Sequence, residues 1–278
     1  MYFQPGESMT NTSLYALVTG ASKGLGKAFA LELAAMKKNL ILVSLPGEGL
    51  EEQSKELRAE YGIDVVFYET DFLKNENIEK LGSWINENYS LEILINNAGI
   101  GGSCSFTETS AEYLETIIRL NIAAPTLLLH QLLPNLLQRD KAWVLNVASM
   151  ACFTPIGFKT IYPASKRFLQ HFSAGLREEL RGTGVSISCV YPGPMKTNNT
   201  VSTRIERYGI WGRMILLTPQ EVASKSIHKM FKNKKNIVLG WPNKIYRFMM
   251  TRFPPGLVLK VATRAVKKEL IREKEQTP

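Results

Sequence analysis

The octapeptide Thr19 to Gly26, T-G-A-S-K-G-L-G, limits what this chain can fold into more than any other stretch. It follows the apolar run Tyr15-Ala16-Leu17-Val18 and opens a pattern that puts Leu25, Ala28, Phe29, Leu33 and Met36 on one helical face. That context predicts a strand-to-helix turn. Gly20 suits a tight turn free of Cβ clashes. Gly24 and Gly26 let backbone approach a ligand at the helix N-terminus, where unpaired N–H groups favour an anion such as a pyrophosphate. The spacing is G-x-x-x-G-x-G, whereas the general dinucleotide fingerprint is G-x-G-x-x-G, so an ordinary glycine-rich turn before a core helix stays open as a reading of the octapeptide alone.

The rest of the chain repeats the same rhythm. Asn39 to Leu45 reads as a buried strand, Gly49 to Tyr61 as an amphipathic helix, and Val65 to Glu69 as a third strand ending at Thr70-Asp71. A helix over about residues 75–89 leads to the strand Leu91 to Ile95 and then to Asn96-Asn97-Ala98-Gly99. A long helix over about 110–139 follows, with kinks expected at Pro125 and Pro134, then the strand Trp143 to Val147 and a helix over about 161–181. Val185 to Tyr191 and Ile237 to Gly240 complete the strands. Strands alternating with long helices imply right-handed crossovers and a parallel sheet covered on both faces. The fold expected is α/β, a doubly wound sheet of about seven strands in the order 3-2-1-4-5-6-7, with a ligand at the carboxyl ends of the strands.

Length allows one large domain, expected over residues 9–240 with a lid at 198–217, followed by a C-terminal extension over 241–278. Residues 1–8, with Tyr-Phe-Gln ahead of Pro-Gly-Glu-Ser, read as a remnant of an expression tag, and Met9 as the native start. No secretory leader and no uninterrupted apolar run of spanning length is visible, so an intracellular, cytoplasmic protein is expected. Cys104, Cys152 and Cys189 are odd in number and lack a C-x-x-C, which points to reduced thiols, and the scattered His130, His171 and His228 suggest no metal site. The net charge of +9 is concentrated at the end, since residues 225–278 hold fourteen Lys and Arg against three Glu. Basic charge without a recognition motif does not support nucleic-acid binding.

Three features bear on chemistry. Tyr162 and Lys166 are four apart, so on a helix they share a face, and a nearby ammonium is expected to lower the tyrosine pKa towards working pH. Ser149 closes the strand that begins at Trp143, where its hydroxyl can stabilise a developing alkoxide. Asn121 falls inside the long helix, where asparagine is a poor former, so a functional reason is plausible. Taken singly, these residues also read as a surface pair, a capping serine and a solvated asparagine.

Together with Thr19 to Gly26, Asn96-Asn97-Ala98-Gly99 and Pro192-Gly193, in that chain order, they resemble the motif set of the short-chain dehydrogenases/reductases, over about Leu14 to Lys232. The pattern is nearest to steroid-dehydrogenase and ketoacyl-reductase members. The resemblance implies Tyr162 as general acid/base, Ser149 as its partner on the substrate oxygen, Lys166 on Tyr162 and the nicotinamide ribose, and Asn121 holding a water that connects to Lys166. It implies cofactor contacts from Gly20, Ser22, Lys23, Gly24, Leu25 and Gly26 in the turn, and from Ser44 at the end of the second strand. Further along it implies Asp71 with Phe72, then Asn97, Ala98 and Gly99, then Pro192, Gly193 and Thr197. Proline directly after Tyr162 departs from the commonest form and predicts a helix starting near that residue.

The second strand ends Val43-Ser44-Leu45-Pro46, with neither an acid for a ribose 2′-hydroxyl nor a base for a 2′-phosphate; Lys23 in the turn favours NADP, with NAD as the alternative. Met150 to Phe158 is apolar, and Asn198 to Leu217 offers Val201, Ile205, Tyr208, Ile210, Trp211, Met214 and Ile215 as a lid; both segments are expected to border a lipophilic carbonyl or alcohol substrate, or else these apolar residues pack against one another or a neighbouring subunit. The helices over 110–139 and 161–181 resemble those through which the family forms homodimers and homotetramers. The basic, amphipathic extension either contacts a membrane peripherally, covers the pocket or forms a subunit interface. A non-catalytic dinucleotide sensor and a sugar-nucleotide epimerase or dehydratase are the competing functions; the complete Ser149, Tyr162 and Lys166 set disfavours the first, the short region after Pro192 the second.

Overall fold

In the computed structural model, which describes residues 13–195 and 217–276, the apolar runs become β1 (Leu14–Thr19), β2 (Asn39–Ser44), β3 (Val65–Glu69), β4 (Ser90–Asn96), β5 (Ala142–Val147), β6 (Val185–Tyr191) and β7 (Asn236–Val238). All pair in parallel, in the order β3-β2-β1-β4-β5-β6-β7, as the alternation of strands and helices predicts. The helices are α1 (Gly24–Ala35), α2 (Leu50–Tyr61), α3 (Asn75–Asn88), α4 (Ala111–Ile118), α5 (Ala124–Leu137), α6 (Ile161–Glu179), α7 (Pro219–Phe231), α8 (Trp241–Arg252) and α9 (Pro255–Gln276).

Successive strand residues point to opposite faces, and here both faces are covered, which is why the central strands are apolar throughout. Ala16, Val18, Leu40, Leu42 and Ile95 pack with Phe29 and Leu33 of α1 and with Val222 and Ile227 of α7. Their neighbours Leu17, Ile41 and Leu94 point the other way, against Ile78 and Ile85 of α3 and Leu128 and Leu132 of α5. A third cluster, built on Met150, Phe153, Cys189, Tyr191 and Val238, is capped by Tyr246 and Met250 of α8. The basic extension therefore begins as a helix docked on the end of the sheet.

Local signals set several helix ends. α2 starts and stops at Gly49 and Gly62, both left-handed, and α7 opens on a capping box between Thr218 and Glu221 with Pro219 in its first turn. The long helix departs from expectation. It runs from Ala111 to Leu137, but its irregularity is a π turn over Arg119–Ala123 rather than a proline kink; Pro125 sits harmlessly in the first turn of α5. A π turn inserts an extra residue into the ladder, a device concentrated at functional sites, and Asn121 is at its centre. By length and mean hydropathy this helix could cross a membrane, yet Leu128, Leu129, Leu132 and Leu136 are buried against the sheet and mark it as a core helix.

Asn135 shows how polar groups lock this core. Its Oδ1 accepts the Leu91 N–H at 2.9 Å, and its Nδ2 donates to the Tyr89 carbonyl at 2.8 Å and to Asn86 Oδ1 at 3.3 Å, joining α5 to the α3–β4 turn. Asn135→Ala leaves a buried donor and acceptor unpaired and is expected to cost about 2–4 kcal/mol. The check is a lower urea midpoint with an unchanged denaturant slope.

Candidate active site

The glycine turn is built as much by packing as for a ligand. Gly20 has φ +65°, a left-handed conformation that costs glycine little. A Cβ on Gly26 would overlap the Gly20 carbonyl oxygen, so this glycine lets α1 close on the turn, a packing role where an approach to pyrophosphate was expected. Leu25 points into the core. Asn97 pins the turn from the neighbouring strand end: its Nδ2 donates to the Thr19 carbonyl at 2.9 Å and the Gly20 carbonyl at 3.3 Å, while Thr19 Oγ1 accepts the backbone N–H groups of Asn97 and Ala98. Lys23 is the N-cap of α1 and supplies no side-chain cap, so the first N–H groups of a twelve-residue helix face the mouth of the turn. That donor set fits a dinucleotide pyrophosphate.

An acid stands where none was expected. The loop after β2 turns through Gly47 and Gly49, both left-handed, and brings Glu48 back to the glycine turn. Its carboxylate accepts Ser22 Oγ at 2.6 Å and Lys23 Nζ at 2.5 Å. The Lys23 ammonium, with Ser22 next, holds the Glu48 carboxyl below the usual carboxylate range. The strand end itself carries no acid, as its sequence reads, but the G-E-G turn delivers one to Lys23. The signal was in the sequence as two glycines flanking a glutamate. Ser44 is buried, and its hydroxyl donates to the Leu45 carbonyl.

The four candidate catalytic residues come together at the carboxyl ends of β4 and β5. Pro163 falls in the first turn of α6, and the helix begins at Ile161, as the proline predicts. Lys166 is 5% exposed, and its Nζ donates to the Val147 carbonyl at 3.1 Å and lies 5.9 Å from the Tyr162 ring centroid. Burial brings the Lys166 pKa down to about 8. Tyr162 behaves contrary to expectation: burial pushes its pKa up, with the hydrogen bond to Ser149 opposing, so the neighbouring ammonium does not set its acidity in this arrangement. A second cation, Lys159, lies 5.3 Å from the same ring. Nothing in the motif set singled it out; only its position three residues ahead of Tyr162 does.

Asn121 is fully buried, and both ends of its amide are engaged. Oδ1 accepts the Ile100 N–H at 3.0 Å, and Nδ2 donates to the Ile100 carbonyl at 2.8 Å and Ser165 Oγ at 3.0 Å. Its side chain therefore ties the loop after β4 to α6. Gly99 passes between Asn121 and Lys166 so closely that a Cβ there would stand 2.8 Å from the amide oxygen and 3.1 Å from Nζ.

The other residues expected at the cofactor have partners within the chain. Asp71 accepts the Leu73 N–H at 2.9 Å and so caps its own turn, and the Phe72 ring is core. Pro192 accepts the Met150 N–H, and Gly193 lies against Asn243 of α8, a buried contact that sequence reasoning missed. Thr197 and all of the expected lid except Leu217 lie outside the described residues. Met150, Cys152 and Phe153, expected beside the substrate, are buried in the third core cluster because α8 covers them. A narrow crevice of about 10 Å³ beside Tyr162 is lined by the loop and helix after β4, through Cys104, Phe106, Tyr113, Leu114 and Ile117, with Lys159 and Ile161.

Comparison with known proteins agrees with this geometry. A family model described as short chain dehydrogenase matches residues 14–207. The chain is 37% identical over 202 residues to a very-long-chain 3-oxoacyl-CoA reductase of Pyrenophora tritici-repentis, covering 68% of this chain and 58% of that protein. It is 32% identical over 241 residues to the ketoacyl reductase HetN of a Nostoc species, covering 85% of this chain and 81% of that one. Among solved structures, a Sphingobium yanoikuyae short-chain dehydrogenase in complex with NADPH superposes with a TM-score of 0.72 at 25% identity, covering 87% of this chain and 96% of that one.

Glu48 both occupies Lys23 and puts a negative charge beside the turn. Glu48→Gln is expected to tighten binding of a 2′-phosphorylated dinucleotide several-fold and to leave the unphosphorylated form unchanged or weakened. Calorimetric titration of both ligands checks this.

Proposed function

This chain belongs to the short-chain dehydrogenase/reductase family, and on that premise we propose that it is an NADP(H)-dependent oxidoreductase acting on a carbonyl or secondary alcohol of a lipophilic substrate. The observation that carries this reading is the meeting of Ser149, Tyr162 and Lys166 beside an apolar crevice, at the strand ends that adjoin the glycine turn. The relatives named above are reductases of acyl substrates, and one solved neighbour holds NADPH, which supports the same cofactor here with NAD as the alternative. The nicotinamide supplies or accepts the hydride.

The protein's own part is proton transfer and positioning. With its pKa raised by burial, Tyr162 keeps its proton through neutral pH and can give it to a carbonyl oxygen in reduction. Ser149, hydrogen-bonded to Tyr162, donates to the same oxygen as negative charge develops. Lys166, fixed by the Val147 carbonyl, lends its ammonium to the tyrosinate left behind. Asn121 holds the Gly99 loop against Lys166 and so keeps the amine in place. Cys104, Phe106, Tyr113, Leu114 and Ile117 favour a substrate with a hydrophobic body. Peripheral contact of the basic extension with a membrane belongs to the same reading, since a lipophilic substrate partitions into a bilayer.

We also assign the chain a homo-oligomeric state, homodimer or homotetramer, through the α4–α5 and α6 faces, where Ile118, Leu127 and Phe168 are exposed. Sedimentation at micromolar concentration is expected to find a dimer or larger, and Phe168→Glu to shift it towards monomer.

A carbonyl screen read by NADPH absorbance tests the activity. With a substrate in hand, Tyr162→Phe is expected to abolish turnover while NADPH affinity changes little, and Ser149→Ala to cost about 3 kcal/mol, or a hundredfold or more in kcat. Near-normal reduction by Tyr162→Phe would sink the mechanism. The pH profile has a defined sign: Lys166 is protonated below about 8 and loses its proton above it, so kcat/KM for reduction is expected to fall as pH rises through that value.

A further inference from the structure

The extension leaves a surface that the reaction does not use. α8 docks through Tyr246 and Met250, with Asn243 Nδ2 donating to the Leu239 carbonyl at 2.9 Å. On its opposite side Trp241, Ile245, Phe248 and Met249 stand at i, i+4, i+7 and i+8 and are all exposed, Phe248 by 61% and Trp241 by 51%. Four large apolar side chains in one outward stripe are too many to be incidental on a helix that already buries another face. α9 repeats the arrangement on a smaller scale. Val258 is buried and Thr263 Oγ1 accepts the Gly157 N–H at 2.9 Å, while Leu257 and Val261 face outward.

Beside this stripe is a groove of about 650 Å³ between the end of α7, the edge strand β7 and α8. Lys229, Lys232, Lys234, Lys244, Arg247 and Arg252 line it, and no acidic residue does. None of the six is ion-paired to a described residue. The crowding is visible in Lys229, whose pKa burial lowers first, with Lys244, Lys225 and Lys234 adding to the effect. Cations without counter-charges among the described residues, flush with an aromatic and aliphatic stripe, match the two layers of a bilayer interface, anionic headgroup over acyl chain.

We propose that α8 and the adjoining basic groove form a docking face for an anionic lipid bilayer, with Trp241, Ile245 and Phe248 entering the headgroup–acyl boundary and the groove holding lipid phosphates. A soluble polyanion would use the cations but leave the apolar stripe in water. A protein partner would be expected to meet charge and apolar surface with complementary groups of its own, whereas the absence of any acid in the groove favours a surface of uniform negative charge. The proposal rests on the peripheral membrane contact included in the proposed function and gives it a surface; none of these side chains belongs to the Ser149, Tyr162 and Lys166 cluster, so loss of vesicle binding and loss of turnover are read separately.

The test is co-sedimentation of the full chain with phosphatidylcholine vesicles, with and without one third phosphatidylserine. Binding is expected to require phosphatidylserine and to weaken with added salt, as screened surface attraction does. Lys232→Gln/Lys244→Gln/Arg252→Gln is expected to weaken it by on the order of a hundredfold. Trp241→Ser/Phe248→Ser is expected to weaken it as well, and to remove the part that survives high salt. All five positions are exposed, and an unchanged thermal transition verifies each fold; single substitutions replace any combination that lowers it. Failure of the intact chain to bind phosphatidylserine vesicles overturns the proposal. So does full binding by the Trp241→Ser/Phe248→Ser chain, which would leave a site for a soluble anion, or by the glutamine variant, which would leave a purely apolar contact.

Discussion

An amine buried at the end of a parallel sheet is the constraint around which this structure is arranged. Lys166 sits among groups that offer it little solvation, and its ammonium is anchored on the Val147 carbonyl at the end of β5. A buried cation is tolerated only where its neighbours are fixed. Here the π turn in the long helix brings Asn121 to the Gly99 loop, and Asn121 in turn clasps Ile100 and Ser165. The same contacts that hold the amine hold the loop between β4 and α4. Catalytic geometry and local stability are therefore one set of interactions, and a change at Asn121 or Gly99 disturbs both.

The dinucleotide side has a similar economy. Thr19 and Asn97 lock the two central strand ends together through side-chain to backbone hydrogen bonds, and Gly26 lets α1 close on the turn they support. Glu48 then adds charge control to a rigid frame: it is anchored by Ser22 and Lys23 across the turn, on a loop bounded by two left-handed glycines. The charge beside the glycine turn thus depends on an ion pair between two loops that neither loop specifies alone.

The C-terminal helices alter what the body of the sheet would otherwise expose. α8 covers the third apolar cluster, and Asn243 reaches Gly193 beside the sixth strand's end. Met150, Cys152 and Phe153, which follow Ser149, are consequently core, and the crevice at Tyr162 is walled by the segment that follows β4. The extension is at once part of the fold and the bearer of an outward surface of a different character.

Much of this was legible without coordinates. Hydrophobic runs buried on both faces, separated by amphipathic helices, dictate a parallel doubly wound sheet; the i, i+4 spacing of Tyr162 and Lys166 and the proline after the tyrosine set where α6 begins; the glycine turn sets the passage from β1 into α1. These are short-range properties, readable because each depends on a few consecutive residues. What only the tertiary structure decided depends on residues far apart in sequence: Glu48 returning to Lys23, Asn121 clasping Ile100 and Ser165, α8 burying Met150 and Phe153, and burial raising the Tyr162 pKa that the nearby lysine was expected to lower. Periodicity reports which face of an element is apolar. It does not report which other element covers that face, and desolvation and long-range ion pairing follow from that second fact.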